Sequence, residues 1–222
     1  MMPEEKKITL LGRRTGELLA GLSDIVDDLW GEAPSSPAPR PRPAAAPQPE
    51  FPPFQQLWKV ADETVDWTDA LAREKPVDGL TDPALWALYH HYAAPVLTGD
   101  TDAYLAVIEA LQPLSDLSAY ADGGAFDVSA PSAETLHASF QALPRYLNKP
   151  EPEARRYLAG MAVRVARDLF ALLPVTQVQV DVLQGEKQLL VVCFEKAEML
   201  KVRFAFIDPV DFALQCGGTF AD

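Results

Sequence analysis

The residues in this 222-residue chain best suited to chemistry are three histidines and two cysteines: His90, His91, His137, Cys193 and Cys216. His90 and His91 are adjacent in Tyr89-His90-His91-Tyr92. Neighbours on a helix point about 100° apart, so the two rings cannot close on one ion as an i, i+4 pair does. No His-Glu-x-x-His or Cys-x-x-Cys spacing accompanies them, and the pair reads as an ordinary helix-surface or half-buried pair. Neither a metal nor a cofactor is expected.

Nucleophilic catalysis needs an activated Ser or Cys beside a base, and there is no Gly-x-Ser-x-Gly elbow. Cys193 falls in the most apolar run of the chain, which predicts inert packing, whereas Cys216 beside Gly217-Gly218 is the more accessible thiol. The glycine pairs Gly123-Gly124 and Gly217-Gly218 lack phosphate-loop spacing. Glu153, Asp181 and Glu195-Lys196 superficially suggest a metal-dependent nuclease. Such a site needs its second acid and its lysine two residues apart, on one face of a strand, and here they are adjacent.

Composition narrows the classes further. Apolar residues make up 48% and charged residues 23%, the balance of a globular chain. Nineteen basic against 32 acidic residues give a formal charge of −13, which repels nucleic-acid phosphates and anionic lipid. No apolar run reaches the roughly 18 to 20 residues a membrane span needs. The one basic patch is Arg155, Arg156, Arg164 and Arg167, with Asp168 on the same expected polar face of a helix. Residues 54–150 carry 5 basic against 14 acidic residues, so an internal electrostatic match is a simpler reading of that patch than a phosphate ligand. Lys6 and Lys7 precede a short apolar run that Gly12, Arg13 and Arg14 interrupt, so no secretory signal is read there. A cytoplasmic location is expected, where two unpaired cysteines are unremarkable.

The elements that must position these residues fall into four stretches. Residues 1–33 predict an amphipathic helical arm over 8–30, with Leu11, Leu18, Leu19, Leu22, Ile25, Val26, Leu29 and Trp30 at three- and four-residue spacing. Residues 34–53 contain nine prolines in twenty positions and predict a semi-rigid linker. Residues 54–150 read as a small helical body. Its expected helices cover Phe54–Arg73, a stretch opened by Asp82-Pro83, a stretch after Asp100, and one holding Leu136, Phe140 and Leu143; residues 121–130 are expected to be a loop. Residues 151–222 predict a helix to about Leu173, then a three-stranded antiparallel meander through Val178–Val182, Leu189–Phe194 and Val202–Phe206, and a last short helix opened by Asp208-Pro209. The expected class is α+β and mostly helical.

Two functions are consistent with this organisation. The first is a non-catalytic protein-interaction or regulatory module. Its tethered arm would present Leu18, Leu22, Ile25, Val26, Leu29 and Trp30 to another protein, to its own body, or to a second copy of the chain. The alternative is an enzyme or small-ligand binder with a site between the helical body and the α+β unit, using His90, His91, His137 and nearby acids.

Overall fold

The computed structural model describes residues 6–11, 54–76 and 81–221. The strands are β1 (Lys7–Leu11), β2 (Ala121–Ser132), β3 (Thr135–Ala142), β4 (Gln177–Gln184), β5 (Lys187–Glu195) and β6 (Thr219–Phe220). The helices are α1 (Trp67–Ala72), α2 (Pro83–Leu97), α3 (Thr101–Leu111), α4 (Pro144–Leu147), α5 (Glu151–Leu172), α6 (Lys196–Met199) and α7 (Pro209–Gln215). The six strands form one mixed sheet in chain order, antiparallel except for the parallel pair β3 and β4, which α4 and α5 connect. A mostly helical protein with a three-stranded meander is therefore the wrong class: the sheet has six strands, three before residue 150 and three after it.

Each correction has a local cause. Leu136 and Phe140 are four apart, which suits a helix face and a strand face equally. Thr135–Ala142 is a strand that buries Leu136, Ala138, Phe140 and Ala142 in strict alternation. Gly123 and Gly124, read as a loop, lie inside β2 with φ of +69° and +67°, where the register to β3 shifts. Lys7–Leu11 is an edge strand rather than the start of a helix; it buries Leu10 and leaves Leu11 exposed. In place of one helix over Phe54–Arg73 there is a 3-10 turn at Phe54–Lys59, an extended stretch, and α1 capped by Asp66. The run Val202–Phe206 supplies a 3-10 turn, Phe204–Phe206, and the strand beside β5 is β6 instead.

Other elements match their local signals. Asp82 caps α2 by accepting from Ala84 N and Leu85 N, and Asp100 caps α3. Helix α5 starts at Glu151, β4 and β5 turn at Gly185, and Asp208 caps α7. Among the described residues no helix is long and apolar enough to cross a membrane.

The core lies between the sheet and α5, a helix with 15 of its 22 residues buried. The inward faces of β4 and β5 pack on it, and Val180, Val182 and Val192 join Phe140 of β3 in one buried core. A strap, residues 57–66, made of the end of the 3-10 turn and the extended stretch after it, crosses the outer side of α5. Val65 N–H donates to Ala171 O at 2.9 Å, and Trp67 Nε1 donates to Leu172 O at 2.6 Å. The strap can lie this close because Gly160 has no side chain: a Cβ there would stand 2.9 Å from Cε3 of the buried Trp58. Gly160→Val therefore destabilises the fold by about 2 kcal/mol or more through overpacking, read as a lower urea midpoint. An unchanged midpoint would show that Trp58 moves freely.

Candidate functional site

Three features of the molecule could serve a function: a buried charge cluster under the strap, a groove beside it, and a polar pocket on the far face of the sheet.

The cluster begins with Arg164 and Asp168, expected on the polar face of the helix and found inside. Their side chains are 3% and 0% exposed, because the strap covers that side of α5. Arg164 Nε donates to Asp168 Oδ2 at 2.5 Å, and Asp62 N–H donates to Asp168 Oδ1 at 3.0 Å. Arg164 Nη2 reaches Asp116 Oδ2 at 2.9 Å and Asp62 Oδ1 at 3.6 Å. Three carboxylates thus share one guanidinium, which is the internal electrostatic match expected of the arginine patch. Burial pushes the Asp168 carboxyl from 3.8 up to about 8, and the attraction of Arg164 offsets only part of that shift. Burial also raises Asp62 and Asp116. The sequence signal was the i, i+4 spacing of Arg164 and Asp168, which does not say whether the pair is wet or dry.

The groove has the strap at Ala61–Thr64 as one wall, Arg167, Phe170 and Ala171 of α5 as its floor, and Lys196 to Phe204 as the other wall. It encloses about 280 Å³. Arg167 lies 4.1 Å over the Phe204 ring and donates to Trp58 O and Val60 O, at 2.6 and 3.0 Å. Lys196 Nζ donates to Phe170 O at 3.0 Å and Leu173 O at 3.2 Å, closing the C-terminal end of α5. Burial lowers the Lys196 pKa, with no carboxylate acting against it. This wall carries Leu200, 79% exposed, and Phe206, 84% exposed, follows two residues after it.

The polar pocket, about 220 Å³, lies among Lys7, Asp127, Ser129, His137 and Ser139. Strand alternation places His137 opposite Ser129 on β2 and Gln179 on β4, with Asp181 one alternation further along. His137 Nε2 stands 3.2 Å from Asp181 Oδ2 but out of line for a hydrogen bond, and is shielded from water. Asp181 accepts instead from Gln179 Nε2 at 3.0 Å and Gln188 Nε2 at 3.2 Å. Asp127 is held by Lys7 at 2.7 Å and by Thr9 at 2.6 Å; burial alone would raise its pKa, but these two hydrogen bonds lower it.

The sequence candidates scatter across the fold. His90 sits on α2 with Nδ1 2.7 Å from Ala70 O, a structural contact, and His91 is exposed with its ring edge-on to Tyr92. His137 alone of the three lies in a pocket of the sheet. Among the described residues no group of three or more His, Cys, Asp or Glu could hold a metal ion. Cys193 is exposed and Cys216 half-buried, the reverse of their expected order, because Cys193 points to the open face of β5. Burial raises both thiols, so neither has the lowered pKa of a reactive cysteine. The anchors Leu18, Leu22, Ile25, Val26, Leu29 and Trp30 lie outside the described residues.

Fold and pockets together define a class, an α+β protein with one six-stranded mixed sheet, helices on one face and polar side chains on the other. Comparison with known protein families, curated proteins and solved structures found no match to this chain.

The charge cluster makes stability depend on pH. From about pH 4 to about pH 8 the folded chain keeps a proton on Asp168 that the unfolded chain has lost, so stability falls as pH rises through that window. The urea midpoint is expected to be lower at pH 8 than at pH 5, with a smaller drop in Asp168→Asn. A midpoint that rises across this range contradicts the assignment.

Proposed function

We propose that this chain is a non-catalytic protein-interaction module that receives an apolar segment of another protein at the groove beside α5. The observation that carries the reading is the exposure of Leu200, 79%, in the wall of a groove floored by Phe170 and Ala171, and of Phe206, 84%, two residues beyond that wall. Large apolar side chains left in water next to a concave surface mark interaction sites, and such anchors supply most of an interface's binding energy. The arm is the second recognition element. Its anchors are Leu18, Leu22, Ile25, Val26, Leu29 and Trp30, and the proline-rich stretch 34–53 gives it reach.

The test compares affinity capture and mass spectrometry for three proteins: the full chain, Leu200→Asp with Phe206→Asp, and a deletion of residues 14–31 that spares β1. A specific protein retained by the full chain and lost at least about tenfold from the Leu200/Phe206 variant supports the groove, since one or two buried anchors are worth that much. Loss on deletion supports the arm. Equal recovery by all three, with melting temperatures unchanged, removes the reading.

A second reading, a small-ligand binder or enzyme, rests on His137 beside the largely buried Asp181. Divalent ions, nucleotides and sugar phosphates screened by thermal shift decide between the two. A ligand that raises the melting temperature of the full chain by a few degrees, but not that of His137→Ala, favours the binder. The interaction module predicts no such ligand.

A further inference from the structure

Resting on the groove as a docking surface, we infer that its partner is an acidic apolar segment, which sets a carboxylate on Lys196 Nζ and an apolar side chain against Phe170 and Phe204. Lys196 has three N–H donors and spends two of them on the carbonyls of Phe170 and Leu173. The half-buried ammonium also lies 5.8 Å from the centre of the Phe170 ring, and it has no carboxylate partner among the described residues. Arg167 is in the same state, with its guanidinium on the Phe204 ring and on two strap carbonyls. Among the described residues the one acid in the groove lining is Asp62, and it is already turned to Arg164, 3.6 Å away. The described residues of the lining thus hold two cations against one committed carboxylate, an excess of one positive charge in a chain of charge −13. A charge-assisted contact at a half-desolvated ammonium is stronger than one in open water. A basic segment meets repulsion at the same place, which gives the groove a preference by charge as well as by shape.

The probes are two synthetic amphipathic peptides with the same leucine spacing, one bearing Glu and Asp at its polar positions and the other Lys. Binding to the full chain is measured by fluorescence anisotropy. The acidic peptide is expected to bind about tenfold or more tightly than the basic one, the size of one charge-assisted contact. Lys196→Met, which keeps the aliphatic stem, should erase that preference, and Lys196→Arg should keep it. Should Lys196→Met fail to fold, the comparison of the two peptides on the unaltered chain decides alone. Equal binding of both peptides overturns the charge preference while leaving an apolar docking surface in place. Binding of neither overturns the inference, and the docking surface falls with it only if the Leu200/Phe206 variant also captures the same proteins as the full chain.

Discussion

The structure turns on a dry, hydrogen-bonded Arg–Asp pair in the C-terminal half of α5, the longest helix among the described residues. Helix α5 is packed by the sheet on one side and the strap on the other, and Arg164 and Asp168 lie in the second contact. Removing a guanidinium and a carboxyl group from water is expensive unless their polar atoms find partners. The partners come from far along the chain: the Asp62 backbone and carboxylate from the strap, and Asp116 from the turn that leads into β2. Through these contacts the pair ties the strap to α5 and to the turn before β2. An aromatic counterpart sits toward the other end of α5, where the buried Tyr157 donates to Tyr120 O and accepts from Leu143 N–H.

The groove follows from that placement. With the strap fixed across α5, its edge at Ala61–Thr64 stands off from the segment after β5, and the space between is floored by Phe170 and Ala171. Lys196 is committed to the helix end by two carbonyls, so its charge is fixed in position rather than swinging in solvent. A preorganised cation beside an apolar floor lowers the entropy loss on binding. The same constraint that stabilises the strap also shapes the surface available to a partner.

The two faces of the sheet divide the labour. One face is buried under helices and is apolar on every strand that reaches the core. The other carries Thr9, Asp127, Ser129, His137, Ser139, Gln179 and Asp181 in cross-strand rows that pair with one another. Such rows satisfy polar groups across neighbouring strands without a covering layer. His137 is the exception, close to Asp181 without a hydrogen bond.

Where a feature depends on a few neighbouring residues, the sequence alone determined it. Asp82-Pro83, Asp100 and Asp208-Pro209 open helices because a cap needs only its own next three residues. The alternation at Gln177–Gln184 is long enough to exclude a helix. Leu136 and Phe140 were ambiguous because their spacing fits both periods, and only pairing with β2 and β4 selects a strand. Lys7–Leu11 is likewise a strand because β2 offers it an edge more than a hundred residues away. A polar helix face leaves open whether Arg164 and Asp168 are wet or dry, and Cys193, expected to be buried, is exposed; what packs, or does not pack, on their side of the element decides both. No local pattern encodes that. Burial, the groove and the pairing of charges across a hundred residues are properties of the packed chain, and tertiary structure alone decides them.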